Sequence, residues 1–180
     1  MNTSSTHTTR HAVGHKICLV TLLILAVTAL NSCSTTSSLE DGEQLYTGLL
    51  PTQYTNYEPS SHQSMTQEEV EAALATAPNG ALFGSSYHRT PFPYGLWIWN
   101  ACANSSGVIK KWLKSTFGKA PVLMSNVNPT LRSSIAKSVL QNNGYFNGNV
   151  TFDTTEGKPK TTKTDTVPRP RTAKIQYHVD

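Results

Sequence analysis

The stretch NNGYFNGNVTFD, residues Asn142 to Asp153, decides the fold. It begins where one periodicity stops and ends where another starts. Upstream, Asn128-Pro129 opens a helix. Asn is a good cap, and Pro suits the first helical position because its missing N–H would go unpaired anyway. Leu131, Ile135, Val139 and Leu140 recur at helical spacing and form the expected apolar face. Asn143-Gly144 ends this helix, with glycine free to take the left-handed conformation. Downstream, Val150 and Phe152 alternate with Thr151 and Asp153, which reads as a strand. Between the two stand Tyr145 and Phe146, placed to lock the helix against a sheet. Val150 and Phe152 are expected to point towards the helices, and Thr151 and Asp153 outwards.

A second strand follows near the end of the sequence. Ala173, Ile175, Tyr177 and Val179 alternate with Lys174, Gln176, His178 and Asp180, so one face is apolar and packs on something. Thr154 to Thr172, full of Lys, Thr, Pro and Gly, reads as a long flexible hairpin loop.

Towards the N-terminus, Thr66 and Glu69 have the spacing of a capping box, with Met65 and Val70 as its hydrophobic staple. Val70, Ala73, Leu74 and Ala77 continue at helical spacing until Pro78-Asn79-Gly80. Glu68, Glu69 and Glu71 then sit near the positive end of the helix dipole and have a structural role rather than a catalytic one. Gln44 to Tyr57 reads as a strand around Leu45, Tyr46 and Leu49, broken by Pro51. Residues 81–107 crowd Phe83, Tyr87, Phe92, Tyr94, Trp97 and Trp99 among prolines and glycines, with no sustained period. Such a loop either packs over a core, the preferred reading, or presents a sticky surface. Ile109, Trp112, Leu113 and Phe117 then follow a helical stripe. Lys110, Lys111 and Lys114 lie on its other faces, and Gly118 terminates it. Pro121 to Met124 is a short extended segment.

The first residues bear on compartment. Arg10 and Lys16 precede an uncharged run of 14 residues, Ile17 to Leu30. That run is shorter than the roughly 20 residues needed to cross a bilayer, and it fits the core of a secretory signal. Leu30-Asn31-Ser32-Cys33 resembles a bacterial lipobox, so residues 1–32 are expected to be a signal peptide and Cys33 the lipidated residue. Residues 33–42, with the polar run Ser34 to Asp41, form a tether, and residues 43–180 form the folded domain. With Cys18 removed and Cys33 acylated, Cys102 stands alone. No disulfide is then available, and a lone cysteine is most often a small buried hydrophobe. No metal-ligand spacing of Cys and His is present, and no cofactor is expected.

Removing residues 1–32 leaves 180 − 32 = 148 residues and lowers the formal charge from +4 to +2. One domain with a core is within reach at that length. The charges are segregated. Residues 40–71 hold seven acids and no Lys or Arg, and residues 72–150 hold seven bases and no acid. The basic middle is either a solvated face balanced in space by the acids, the plainer reading, or a surface for anionic lipid headgroups. A lipid-anchored exported protein would not meet nucleic acid.

The helix ending in LQNNGYFNGNV, the hairpin, and the final strand ending in IQYHV resemble the polypeptide-transport-associated (POTRA) domain. That module precedes the barrel in the BamA/TamA family of outer-membrane assembly proteins. Leu140, Gly144, Tyr145, Phe146 and Val150 stand at the positions of its helix-closing leucine, Gly-Tyr-Phe-like triplet and following strand. LYTGL, PNGALFGS, RTPFPYGLWIWN and PVLMSNVNPTLRSSIA are similar to stretches of lipobox-bearing members from Bacteroides-type bacteria. The resemblance spans roughly residues 43–180. It implies an α+β fold: a small mixed sheet of three strands, two main helices on one face, and an aromatic-rich helical insertion at about 80–125. The family continues into further repeats and a barrel, whereas this sequence stops at Asp180, so barrel function is not carried over.

By resemblance the edge strand is Asn149 to Asp153, comprising Asn149, Val150, Thr151, Phe152 and Asp153. It would bind extended polypeptide by strand addition, with Thr151 expected to offer its N–H to the incoming chain. The expected partners are unfolded outer-membrane polypeptides or assembly-machinery proteins, and the outer membrane itself through the anchor on its periplasmic face. No small-molecule substrate is expected. The alternative is a structural outer-membrane lipoprotein without assembly activity. An enzyme is the least favoured class: Ser85, Ser86, His62 and His88 supply suitable residue types but no recognisable catalytic constellation.

Overall fold

A computed structural model describes residues 35–58, 60–104, 106–160 and 169–180. The expected signal peptide and Cys33 lie outside the described residues. The elements run β1 (Leu45–Leu49), β2 (Gln53–Tyr54), α1 (Ser61–Leu74), a 3₁₀ turn (Leu82–Gly84), α2 (Tyr94–Ala101) and α3 (Val108–Phe117). There follow α4 (Met124–Val127), α5 (Pro129–Asn142), β3 (Val150–Glu156), β4 (Pro159–Lys160), β5 (Arg169–Pro170) and β6 (Thr172–Val179). The class is α+β with a small mixed sheet.

The sheet is organised by β6, whose alternating Ala173, Ile175, Tyr177 and Val179 are all buried. β3 lies antiparallel to it from Val150↔Val179 to Glu156↔Ala173. On its other side β1 and then β2 pair in parallel, Leu45↔Thr172 at one end and Tyr54↔Val179 at the other. The expected three strands are therefore four, because the first is cut in two by Leu50-Pro51-Thr52. β1 also holds one residue more than its partner between Tyr46↔Ala173 and Leu49↔Ile175. Gly48 takes up that bulge with φ +117°, and a Cβ there would stand 2.8 Å from the Ser86 carbonyl oxygen.

α1 and α5 cover one face of the sheet. Val70, Leu74, Ala136 and Leu140 join Tyr46, Leu49, Val150, Ile175 and Tyr177 in one core. The helices are antiparallel. His62, at the start of α1, donates from Nε2 to Asn143 O at 3.1 Å. Arg132, at the start of α5, donates to the Ala73 and Ala75 carbonyls at 3.1 and 2.9 Å. A cation thus caps the C-terminal end of α1, where the helix dipole favours it.

Four local expectations are corrected. α1 begins at Ser61, not near Thr66, because Ser60 Oγ accepts from the Gln63 N–H at 3.2 Å and caps it. Ser60-x-x-Gln63 has capping-box spacing too. Thr66 lies inside the helix, donating to His62 O at 3.0 Å, and Met65 is exposed. On α5 the buried face is Ser133, Ala136 and Leu140, and Leu131 and Ile135 are exposed. Small side chains let α5 approach the sheet closely, which turns Leu131 and Ile135 outwards. The irregular aromatic segment contains helix α2. Finally, Thr154 to Glu156 continue β3, and β4 pairs with β5, so the described ends of the expected flexible loop are strand, while residues 161–168 lie outside the described residues.

The insertion packs along the outer side of β1. Leu49 N donates to Ser86 O and Tyr46 N to Val122 O, each at 2.8 Å, and Met124 N donates to Gln44 O at 2.9 Å. The polar stretch before β1 is folded onto the domain from Thr35 onward. Ser38 Oγ donates to Asn100 Oδ1 on α2. The buried Arg171 donates to Glu40 O at 3.1 Å and pairs with Asp41 at 3.3 Å.

Candidate functional site

The corner between α5 and β3 is built by a Schellman closure. Tyr145 N donates to Leu140 O at 2.9 Å and Gly144 N to Gln141 O at 3.0 Å. Gly144 has φ +91°, as its place in the sequence requires. Tyr145 packs against the core and stacks on His62, with ring centroids 5.9 Å apart. Phe146 does not share the locking role expected of it: 76% of it is exposed. Gly148 then passes close over Leu140 and delivers the chain to β3.

The β1 side of the sheet is covered by the insertion, but the outer side of β3 pairs with no strand among the described residues. Its side chains lie as expected, with Val150 buried, Phe152 half-buried, and Thr151 and Asp153 exposed. Its backbone groups differ from expectation. Asn149 and Asp180 exchange both hydrogen bonds, N to O at 2.8 Å and 3.0 Å. In an antiparallel pair such exchanges recur at every second residue. Asn149, Thr151, Asp153 and Thr155 therefore direct N–H and C=O towards β6. Val150, Phe152, Thr154 and Glu156 direct theirs to the open side. The expectation that Thr151 offers its N–H to an incoming chain is corrected on this ground: that N–H belongs to the internal ladder, facing His178.

A groove of about 450 Å³ adjoins the start of this edge. Its walls include Tyr54, Tyr57, Val70, Tyr145, Phe146 and Val179. Burial raises the Tyr54 hydroxyl above its ordinary pKa, and the neighbouring Glu71, which accepts its hydrogen bond at 3.3 Å, adds to the rise. Sequence reasoning missed this groove. Its signal was the tyrosine pair after Pro51, which lands opposite the glycine-aromatic corner only once β2 is parallel to β6.

The residue types weighed for catalysis are not assembled into one site. Ser85 Oγ accepts from the N–H groups of Tyr87 and His88 at 3.2 and 3.1 Å, shaping a turn, and lies 3.4 Å from His88 Nδ1. His62 is part of the aromatic corner on α1. Cys102 is buried at the end of α2, and no cluster of metal-ligating side chains occurs among the described residues.

No protein-family model matches this chain, and no match to it was found among curated proteins or solved structures.

Proposed function

We propose that this chain is a lipid-anchored, POTRA-like binding module of an outer-membrane assembly or translocation factor. It takes up extended polypeptide by strand addition along β3. The observation that carries this reading is the open side of β3. Four residues there, Val150, Phe152, Thr154 and Glu156, present backbone groups with no partner strand among the described residues. Pairing through the main chain accepts many client sequences, which suits unfolded outer-membrane polypeptides. The groove lined by Tyr54, Tyr145 and Phe146 at the start of β3 adds a place for an apolar client side chain. The order of strands, the two antiparallel helices and the glycine-aromatic corner support the resemblance to the POTRA module. Anchoring through Cys33 at the periplasmic face of the outer membrane belongs to the same proposal.

The test is binding of unfolded outer-membrane strand peptides by the Thr154→Pro variant. Proline there removes an N–H from the open side and none from the β6 ladder, a position at which edge strands tolerate it. Affinity should fall about tenfold or more, equivalent to the roughly 1.4 kcal/mol of one or two backbone bonds. A folded Thr154→Pro protein that binds these peptides as wild type does would end the strand-addition reading and leave the structural lipoprotein.

A further inference from the structure

Helix α3 divides its circumference into two halves. Advancing about 100° per residue, Val108, Trp112, Thr116, Ile109 and Leu113 cover one half, with Phe117 at its border. Lys110, Lys111, Lys114 and Ser115 cover the other. A helix of this pattern normally buries its apolar half in the protein. α3 buries no residue. Val108 is 83% exposed, Ile109 79%, Trp112 58% and Phe117 53%. The helix is held to the domain by its flank instead. Leu113 and Lys114 are half-buried, Lys114 Nζ sits 4.0 Å above the Trp99 ring on α2, and Lys119 N donates to Gly95 O at 2.8 Å.

We infer that α3 is a membrane-contact helix that lies in the headgroup region of an anionic bilayer with Val108, Ile109, Trp112 and Phe117 inserted. Charge complementarity selects this occupant. Residues 72–150 contain no acid, and no ion pair among the described residues joins their bases to the acids of residues 40–71. Lys110, Lys111 and Lys119 are exposed beside the apolar face. Lysines flanking inserted Trp and Phe are the arrangement that interfacial helices use. A second copy of this chain docking on the same face would bring lysine against lysine.

Chain length gives a second argument, which rests on the proposed anchor. Ser38 is bonded to Asn100 at the end of α2, and α2 carries α3. The five residues from position 33 to Ser38 span at most about 18 Å. A bilayer that holds residue 33 is therefore within reach of the α2–α3 layer.

The experiment is hydrogen exchange on the full chain, read at residues 108–117. Three conditions are compared: no lipid, phosphatidylcholine vesicles, and vesicles in which about a third of the lipid is phosphatidylglycerol. Because α3 itself is read, attachment of the chain through its first 33 residues does not count as a signal. Exchange in α3 should slow about tenfold or more with the anionic vesicles and much less with the neutral ones. At about 1 M salt, where screening acts within about 3 Å, the difference should shrink. Ile109→Ser with Trp112→Ser should abolish the slowing, and Lys110→Glu with Lys111→Glu should abolish the preference for anionic lipid. All four side chains are exposed, so the fold is kept, and unchanged exchange in β3 and β6 reports that independently. Unchanged exchange in α3 on vesicle-bound protein would overturn the inference. So would protection already complete without lipid, which would mean that Ile17–Leu30 or a second copy covers the face.

Discussion

The N–H of Tyr145 reaches back to the carbonyl of Leu140 at 2.9 Å, across the turn that Gly144 makes. Through this bond the residue that closes α5 also fixes the aromatic that packs on His62 and the point at which β3 begins. Nothing lies within 4 Å of a Cβ built on Gly144. A side chain there meets no steric clash with a neighbour, and its cost is that of the left-handed backbone alone. Gly144→Ala should lower stability by about 1 kcal/mol, and the β-branched Gly144→Val by about 2 kcal/mol. Four residues on, a Cβ on Gly148 would approach Leu140 Cδ1 to 3.0 Å and Tyr145 O to 3.1 Å. Gly148→Ala should therefore destabilise through displaced packing and shift the Leu140 and Tyr145 resonances. A Gly144→Val domain melting within a degree of wild type would refute the closure.

Tyr177 is fully buried in the middle of β6, and its hydroxyl has no hydrogen-bond partner among the described residues. A buried hydroxyl without a partner costs on the order of 1–3 kcal/mol. Tyr177→Phe should therefore stabilise the domain at neutral pH, by about 1 kcal/mol, as read by urea unfolding. A loss of that size instead would show that the hydroxyl is satisfied.

The same tyrosines give the domain an alkaline limit. Burial pushes the Tyr177 hydroxyl up to about 12, against the opposing charge of Arg132. Burial, reinforced by Tyr177, also raises Tyr46, whose hydroxyl donates to Thr76 O at 3.0 Å. Raised values in the folded state mean that the unfolded chain loses these protons first. Stability from these groups is thus complete below about pH 10 and is lost as pH rises towards and beyond 12. The slope is about 1.4 kcal/mol per pH unit for each tyrosine. Tyr177→Phe should reduce the slope between pH 10 and 12 by about one proton. An identical slope in wild type and variant would show that Tyr177 does not control it.

The corner and β6 were legible because each pattern has one dominant cause. Alternation over Ala173 to Val179 demands a buried face, and a glycine followed by aromatics at a helix end demands a closure. The start of α1 was misread because two serine/threonine caps compete. Thr66 looked like a cap by spacing, but its hydroxyl is satisfied within the helix, and Ser60 does the capping. α2 was hidden because Pro91 and Pro93 stand just before it and Gly95 interrupts its eight residues. The two halves of α3 were legible, but amphipathicity says only that a face wants cover, not that the protein supplies it. On α5, large apolar residues drew the eye to Leu131 and Ile135, whereas close packing selected Ser133 and Ala136. The edge strand expected by resemblance at Asn149 to Asp153 overlaps β3, whose outer side pairs with no strand among the described residues. The direction of each N–H was not readable, because side-chain alternation tells up from down, while the partner strand decides left from right.

Cys33 is expected to carry lipid, on the strength of its position just after the apolar run Ile17 to Leu30. Cells fed an alkyne fatty acid should label the wild-type chain and not Cys33→Ser. Equal labelling of both would remove the anchor from the proposal while leaving the β3 edge untouched.

Proline placed at two nearby sites of β3 should have unequal consequences for stability. Thr151 and Thr154 are both exposed threonines on the same strand, so propensity and burial do not separate them. What separates them is the register, which pairs Thr151 with His178 and Thr154 with Ile175, and the exchange of bonds between Asn149 and Asp180 that sets its phase. Thr151→Pro removes a bond from the internal ladder, leaves the His178 carbonyl without its donor, and sets a ring between the strands. Unfolding free energy should drop by roughly 2 kcal/mol or more, visible by circular dichroism and urea titration. Thr154→Pro removes only an N–H that faces the open side, and stability should stay within about 1 kcal/mol of wild type. The reverse order of stabilities would mean that the open side of β3 presents the other set of backbone groups. The residues assigned to client pairing would then be Thr151, Asp153 and Thr155.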